Sequence, residues 1–112
     1  MSAQQRIDQI KLYLRDQFQL SPEQVGEMLP GFIGTLSSHM ANMERALGQD
    51  DLTALGKAGH TMKGALLNLG LDDCAKLALY IEERTRVGDL SIDYAALVSD
   101  LRKEISPLIN SG

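Results

Sequence analysis

The sequence predicts an all-α protein: an antiparallel up-down-up-down four-helix bundle with an additional N-terminal helix. Three observations predict it. Apolar residues recur three, four and seven positions apart along nearly the whole chain, the period of a helix with one buried face. Hydrophobic residues make up 44% of the composition but aromatics only 4%, and tryptophan is absent, whereas the strands of a sandwich or barrel favour β-branched and aromatic side chains. The breaks between periodic stretches are short, which makes successive helices antiparallel neighbours.

Ile7, Ile10, Leu14 and Phe18 mark a first amphipathic helix over residues 3–19. Ser21-Pro22-Glu23-Gln24 restarts the chain, with serine as cap, proline at the first helical position and glutamine completing a capping box. Val25, Met28, Leu29, Phe32, Ile33, Leu36, Met40, Met43 and Leu47 then keep one helical phase. Pro30 interrupts the hydrogen bonding, so a kink is expected there, or a short helix followed by one over 31–48. Asp50 is expected to cap the next helix, over 51–69, whose stripe of Leu52, Leu55, Gly59, Met62, Leu66 and Leu69 ends at Gly70. Asp72 and Asp73 open a helix over 71–87, where negative charge suits the dipole, and Cys74, Leu77, Ala78, Ile81 and Thr85 supply its buried face. After Val87-Gly88-Asp89, Ser91 is expected to cap a last helix over 91–106, with Tyr94, Leu97, Val98, Leu101 and Ile105 inward and Pro107 kinking or ending it.

The 112 residues make one domain, 1–112, with room for a modest core. A net charge of −4 and no basic stripe argue against nucleic acid and anionic membrane as partners. The apolar runs are too short to span a bilayer, and M-S-A-Q-Q-R-I-D-Q lacks the basic start and apolar core of a signal peptide. One cysteine, Cys74, forms no internal disulfide, which fits a reducing compartment, so the protein is expected in the cytoplasm.

The most informative segment is A-G-H-T-M-K-G-A-L-L-N-L-G, from Ala58 to Gly70. His60, Lys63 and Gly64 stand three and four residues apart on one helical face, away from the leucine stripe. Gly56, Lys57 and Leu67 lie around them, making the face basic, small and partly apolar. Glycine inside a helix costs about 1 kcal/mol relative to alanine. At Gly64 that cost suggests clearance for another molecule near the imidazole. A neutral imidazole is nucleophilic without an added base, since free histidine side chains titrate at about 6.5. It can accept a phosphoryl group from an aspartyl phosphate in line, with Lys63 offsetting part of the charge and Lys57 steering an acidic partner.

The segment resembles the H-x-x-K-G-x-x-x-x-x-G signature of histidine phosphotransfer (HPt) domains of bacterial two-component phosphorelays. Phe32-Ile33, Asp50 and Glu82 also look like their family counterparts, so the resemblance covers roughly residues 22–106. Met62 replaces the usual leucine, and Ala65 stands where the family often has serine, which removes a hydroxyl contact. The resemblance implies a phosphorelay intermediate that takes a phosphoryl group from one receiver domain and passes it to another. It makes His60 the phosphoacceptor, Lys63 its charge partner, Gly64 the close-approach position, and Leu67, Lys57 and Gly56 the docking face. It implies response-regulator receivers and a hybrid sensor histidine kinase as partners, a monomer, and no cofactor beyond Mg²⁺ on the receiver.

Other readings are weaker. Histidine kinases follow their histidine with an acidic residue and then a proline, and use a glycine-rich nucleotide segment; here Thr61 follows His60, no proline lies between His60 and Pro107, and no such glycine-rich segment is present, so no ATP-dependent kinase activity is expected. His39 lacks the lysine and glycine and reads as structural or solvent-facing. His39, His60 and Cys74 do not share a face, so no metal site is expected. Met28, Met40, Met43 and Met62 read as core. The pairs Asp50-Asp51, Asp72-Asp73 and Glu82-Glu83 are placed at helix ends or solvent faces with no catalytic part. The competing class is a helical interaction module that docks a partner through Leu67 without phosphoryl chemistry.

Overall fold

A computed structural model describes residues 2–109, and all regular structure among them is helical. The helices are α1 (Ala3–Phe18), α2 (Pro22–Gly48), α3 (Leu52–Leu67), α4 (Asp72–Arg86) and α5 (Tyr94–Ile109). Helix α3 packs against α2 and α4, α5 against the same two, and α1 lies against α2 and α5. The molecule measures 45 × 24 × 21 Å. Its long axis follows from α2, whose 27 residues span ~40 Å at ~1.5 Å per residue.

The predicted stripes form the core. Leu36, Met40 and Met43 of α2 meet Leu55, Met62 and Leu66 of α3, Ala78 and Ile81 of α4, and Val98, Leu101 and Ile105 of α5. Two expected core residues are not in it: Phe18 is 56% exposed and Met28 is 42% exposed. Phe18 is the last residue of α1, where the chain already turns away. Met28 faces outward beside the buried Leu29.

Neither proline ends a helix. Helix α2 runs through Pro30 and α5 through Pro107. The carbonyl that Pro30 deprives of a donor belongs to Gly26, whose Cβ position is open and which is exposed, so the backbone has room to relax and water can reach the orphaned oxygen. The carbonyl facing Pro107 belongs to the exposed Lys103, with the same outlet.

Three helices stop alike. The Leu71 N–H donates to the Leu66 carbonyl and Gly70 to Leu67; Asp89 donates to Arg84 and Gly88 to Thr85; Asp51 donates to Ala46 and Asp50 to Leu47. Each pair satisfies the last carbonyls around one left-handed residue, at Gly70 (φ 73°), Gly88 (φ 67°) and Asp50 (φ 52°). Asp50 therefore closes α2 instead of capping α3. Asp51 is the cap, its side chain accepting from the Ala54 N–H at 3.0 Å. Likewise Ser91 sits in the turn, bonded to Asp89, and Asp93 accepts from the Ala96 N–H at 3.0 Å as α5 begins. The box at Ser21 and Gln24 is present as predicted, and Ser2 with Gln5 forms a second one on α1.

Helix α1 is tied down by a buried cation. Arg6, 1% exposed, donates to both carboxylate oxygens of Asp73 at 3.0 and 2.9 Å and to Glu104 at 2.5 Å. Asp73, Cys74 and Glu104 bring ligand-type atoms within 4.8 Å of one another, but both carboxylates are engaged by the guanidinium. Burial pushes the Cys74 thiol up to about 11, so it stays protonated.

Candidate functional site

The site rests on how closely α3 and α4 approach. At Gly59 an added Cβ would lie 3.4 Å from the Ala78 carbonyl and 3.5 Å from the Glu82 nitrogen. At Gly56 it would lie 2.6 Å from the Thr85 hydroxyl, which donates back to the Ile81 and Glu82 carbonyls at 2.9 Å. These two glycines let the backbones come together along Ala78, Glu82 and Thr85, the face of α4 turned to α3. The sequence reading put Gly56 on a docking face; its missing side chain also serves the helix contact.

That approach delivers Glu82 to the face of α3 that carries His60. The Glu82 carboxylate is 9% exposed, and its Oε2 lies 2.7 Å from His60 Nδ1. Its Oε1 accepts from Lys63 Nζ at 2.8 Å, and Arg86 Nη2 stands 3.4 Å from Oε2. Burial alone would push the Glu82 carboxyl up, but the hydrogen bonds from Lys63 and His60 outweigh it and hold it below its ordinary value of 4.5. The group is therefore a carboxylate at neutral pH, which only accepts. His60 Nδ1 must then carry the proton, and the Nε2 lone pair is left for chemistry.

His60 lies in the middle of α3 with its side chain 67% exposed. Gly64, one turn on, has nothing within 4 Å of its Cβ position, and Leu67 is 44% exposed. Lys57, one turn back, is exposed. Lys63 differs from expectation: its side chain is only 23% exposed and its ammonium is held on Glu82. A groove of about 590 Å³ runs beside the imidazole between α3 and α4, walled by Leu52, Gly56, Lys57, Glu82, Thr85 and Arg86. His39 lies on α2 and lines a different groove.

Glu82, noted only as a family-like position, and Arg86 are the residues that sequence reasoning left out of the site. Glu82 was placed with Glu83 at a helix end or solvent face, yet it is buried among Ala78, Ile81 and Thr85 on the face of α4 turned to α3. The signal was present: position 82 continues the buried register of Ala78 and Thr85, and a carboxylate there needs a partner.

A family model for the Hpt domain matches residues 27–110, most of the chain and all of this site. No curated relative and no solved structure matches it.

Proposed function

The chain belongs to the Hpt domain family, whose members are histidine-containing phosphotransfer modules of phosphorelays and not themselves kinases, and on that premise we propose that His60 is its phosphoacceptor. Nε2 attacks the phosphorus of a receiver's aspartyl phosphate. An N–P bond forms, the bond from phosphorus to the aspartate oxygen breaks, and the electron pair leaves with the carboxylate. Positive charge develops on the imidazole during attack, and Glu82 at Nδ1 offsets it while holding the tautomer and the ring. Lys63 acts as a positioning residue through Glu82, because its charge is already engaged there. Reversal of the same step hands the group to a second receiver.

The single observation that carries this reading is the 2.7 Å contact between an exposed imidazole and a buried carboxylate. The short connections of α2 to α5 support an up-down-up-down antiparallel arrangement, which sets His60 on an open flank. The partners we propose are receiver domains, with Mg²⁺ on the receiver only, and a hybrid sensor kinase upstream. The protein acts as a cytoplasmic monomer; among the described residues no helix is long and apolar enough to cross a membrane. The test is to mix the protein with a phosphorylated receiver. Wild type acquires label that mild acid removes and base preserves, and His60→Gln acquires none. Label retained in that variant, or found on His39, overturns the assignment.

A further inference from the structure

We propose that Arg86 is a catalytic residue of this site: its guanidinium, and not the Lys63 ammonium, binds the phosphoryl oxygens as the group arrives on His60. This rests on the phosphotransfer reading above and adds the cation that receives the group. Charge is the starting point. Glu82 is one carboxylate with two permanent cations against it, Lys63 at 2.8 Å and Arg86 at 3.4 Å. One anion neutralises one of them, so a positive charge is left over beside the imidazole.

Contact geometry decides which cation is the spare one. Lys63 donates a hydrogen bond to Oε1, and its side chain is only 23% exposed. Arg86 is 67% exposed, and among the described residues it makes this ion pair and no hydrogen bond. Its N–H groups are therefore free to donate to another acceptor. Moving Arg86 takes little from Glu82, because the hydrogen bonds that hold that carboxyl below its ordinary value come from Lys63 and His60.

Position agrees. Arg86 Nη2 and His60 Nδ1 approach the same oxygen, Oε2, whereas Lys63 takes Oε1. Arg86 and His60 also line one groove, and Lys63 does not line it. Lys57 lines it from α3, but among the described residues no ion pair fixes its ammonium beside the ring. Arg86 is the last residue of α4, where the carbonyl end of a helix favours a cation. A guanidinium presents paired N–H groups in one plane, which match two oxygens of a phosphoryl group. As the bond from phosphorus to the aspartate oxygen breaks and the bond to Nε2 forms, negative charge spreads over the three peripheral oxygens. Arg86 leaves Oε2 and donates to two of them, while Lys63 stays on Oε1 and keeps Glu82 on Nδ1.

The test uses the full chain loaded from a phosphorylated receiver that labels wild type, with Arg86→Ala, Arg86→Lys, Lys63→Ala and Lys76→Ala beside it. Lys76 is exposed on α4 and outside the groove, so it controls for net charge. Arg86 is exposed, so its truncation leaves the core intact, which a thermal melt checks. Two quantities are read: the phosphorylated fraction at equilibrium with the receiver, and the phosphorus NMR titration of the phosphohistidine. Arg86→Ala should lower the equilibrium constant for phosphohistidine about tenfold. Its phosphoryl group should take up a proton about one pH unit higher than in wild type, because a cation in contact favours the dianion. Arg86→Lys should recover most of both, and Lys63→Ala and Lys76→Ala should leave the titration where it is. A titration unmoved in Arg86→Ala, or moved as far in Lys63→Ala, overturns this assignment alone, since an arginine acting only through Glu82 does not touch the phosphoryl group. If no receiver labels wild type, the phosphotransfer reading falls, and Arg86's role with it.

Discussion

The clusters at Glu82 and Arg6 invert one another. At Glu82 a buried carboxylate gathers an imidazole, an ammonium and a guanidinium; at Arg6 a buried guanidinium gathers two carboxylates that are each about half exposed. Both use the same physics, since a charge taken out of water is tolerated only with opposite charge and hydrogen bonds around it. They differ in what is left over. Arg6 is over-matched by anions, and its cluster joins α1 to the start of α4 and to α5. Glu82 is over-matched by cations, and its cluster holds the ring of an exposed histidine. Residual charge separates them: negative where the cluster only joins helices, positive beside the proposed phosphoacceptor.

The comparison breaks if the two clusters do each other's work. Arg6→Ala has the largest expected effect, a loss of about 3 kcal/mol, because two carboxylates and the α1 anchor lose their cation together. Phosphoryl transfer at a temperature where this variant remains folded should stay within about twofold of wild type. A thermal melt beside a transfer assay reads both, and a transfer defect matching that of a site variant would erase the distinction.

Glu82→Ala should do the reverse. Transfer should fall by at least about 10- to 100-fold, the cost of removing the carboxylate that orients a metal-ligating imidazole. Lys63 and Arg86 can turn to water, so the fold should survive, with a loss of about 1–2 kcal/mol. Unchanged transfer would leave the carboxylate with a packing role only.

Acid sharpens the contrast. The hydrogen bonds from Arg6 hold Asp73 below its ordinary value of 3.8, and Glu82 is held below its own. For a carboxyl depressed on folding, the stabilisation is present above the unfolded value and is lost as pH falls through the folded one. The gap in melting temperature between wild type and Arg6→Ala should therefore be flat from about pH 7 to 5 and narrow below about pH 4. A gap independent of pH would remove the Asp73 pair from the account.

Gly64 carries the smallest effect on stability. With open space at its Cβ position, Gly64→Ala should stabilise α3 by up to about 1 kcal/mol. Gly64→Gln should keep the fold and obstruct the approach to the imidazole. Rates equal to wild type for the glutamine variant would refute clearance as the reason for this glycine. The same substitution at Gly56 should cost stability, because Thr85 occupies the space.

What was legible in the sequence was local. Helical period placed five helices, and the Ser21 box was readable because its partners are three residues apart. The missed caps were errors of one or two residues, and their cause is the left-handed turn at Asp50 and the Asp89–Ser91 bonds, which decide whether an acid closes one helix or opens the next. Neither proline breaks its helix because the cost depends on the residue four before, exposed at both Gly26 and Lys103.

The sequence by itself determined an all-helical chain and set His60, Lys63 and Gly64 on one face, because a helix of about 3.6 residues per turn converts spacing into direction. Only the tertiary structure decided what that face meets. Glu82 reaches His60 across 22 residues, and Arg6 reaches Asp73 and Glu104 across 67 and 98. Those pairings depend on how near two helices come, which Gly56 and Gly59 settle between α3 and α4, and spacing along one helix carries no record of that distance.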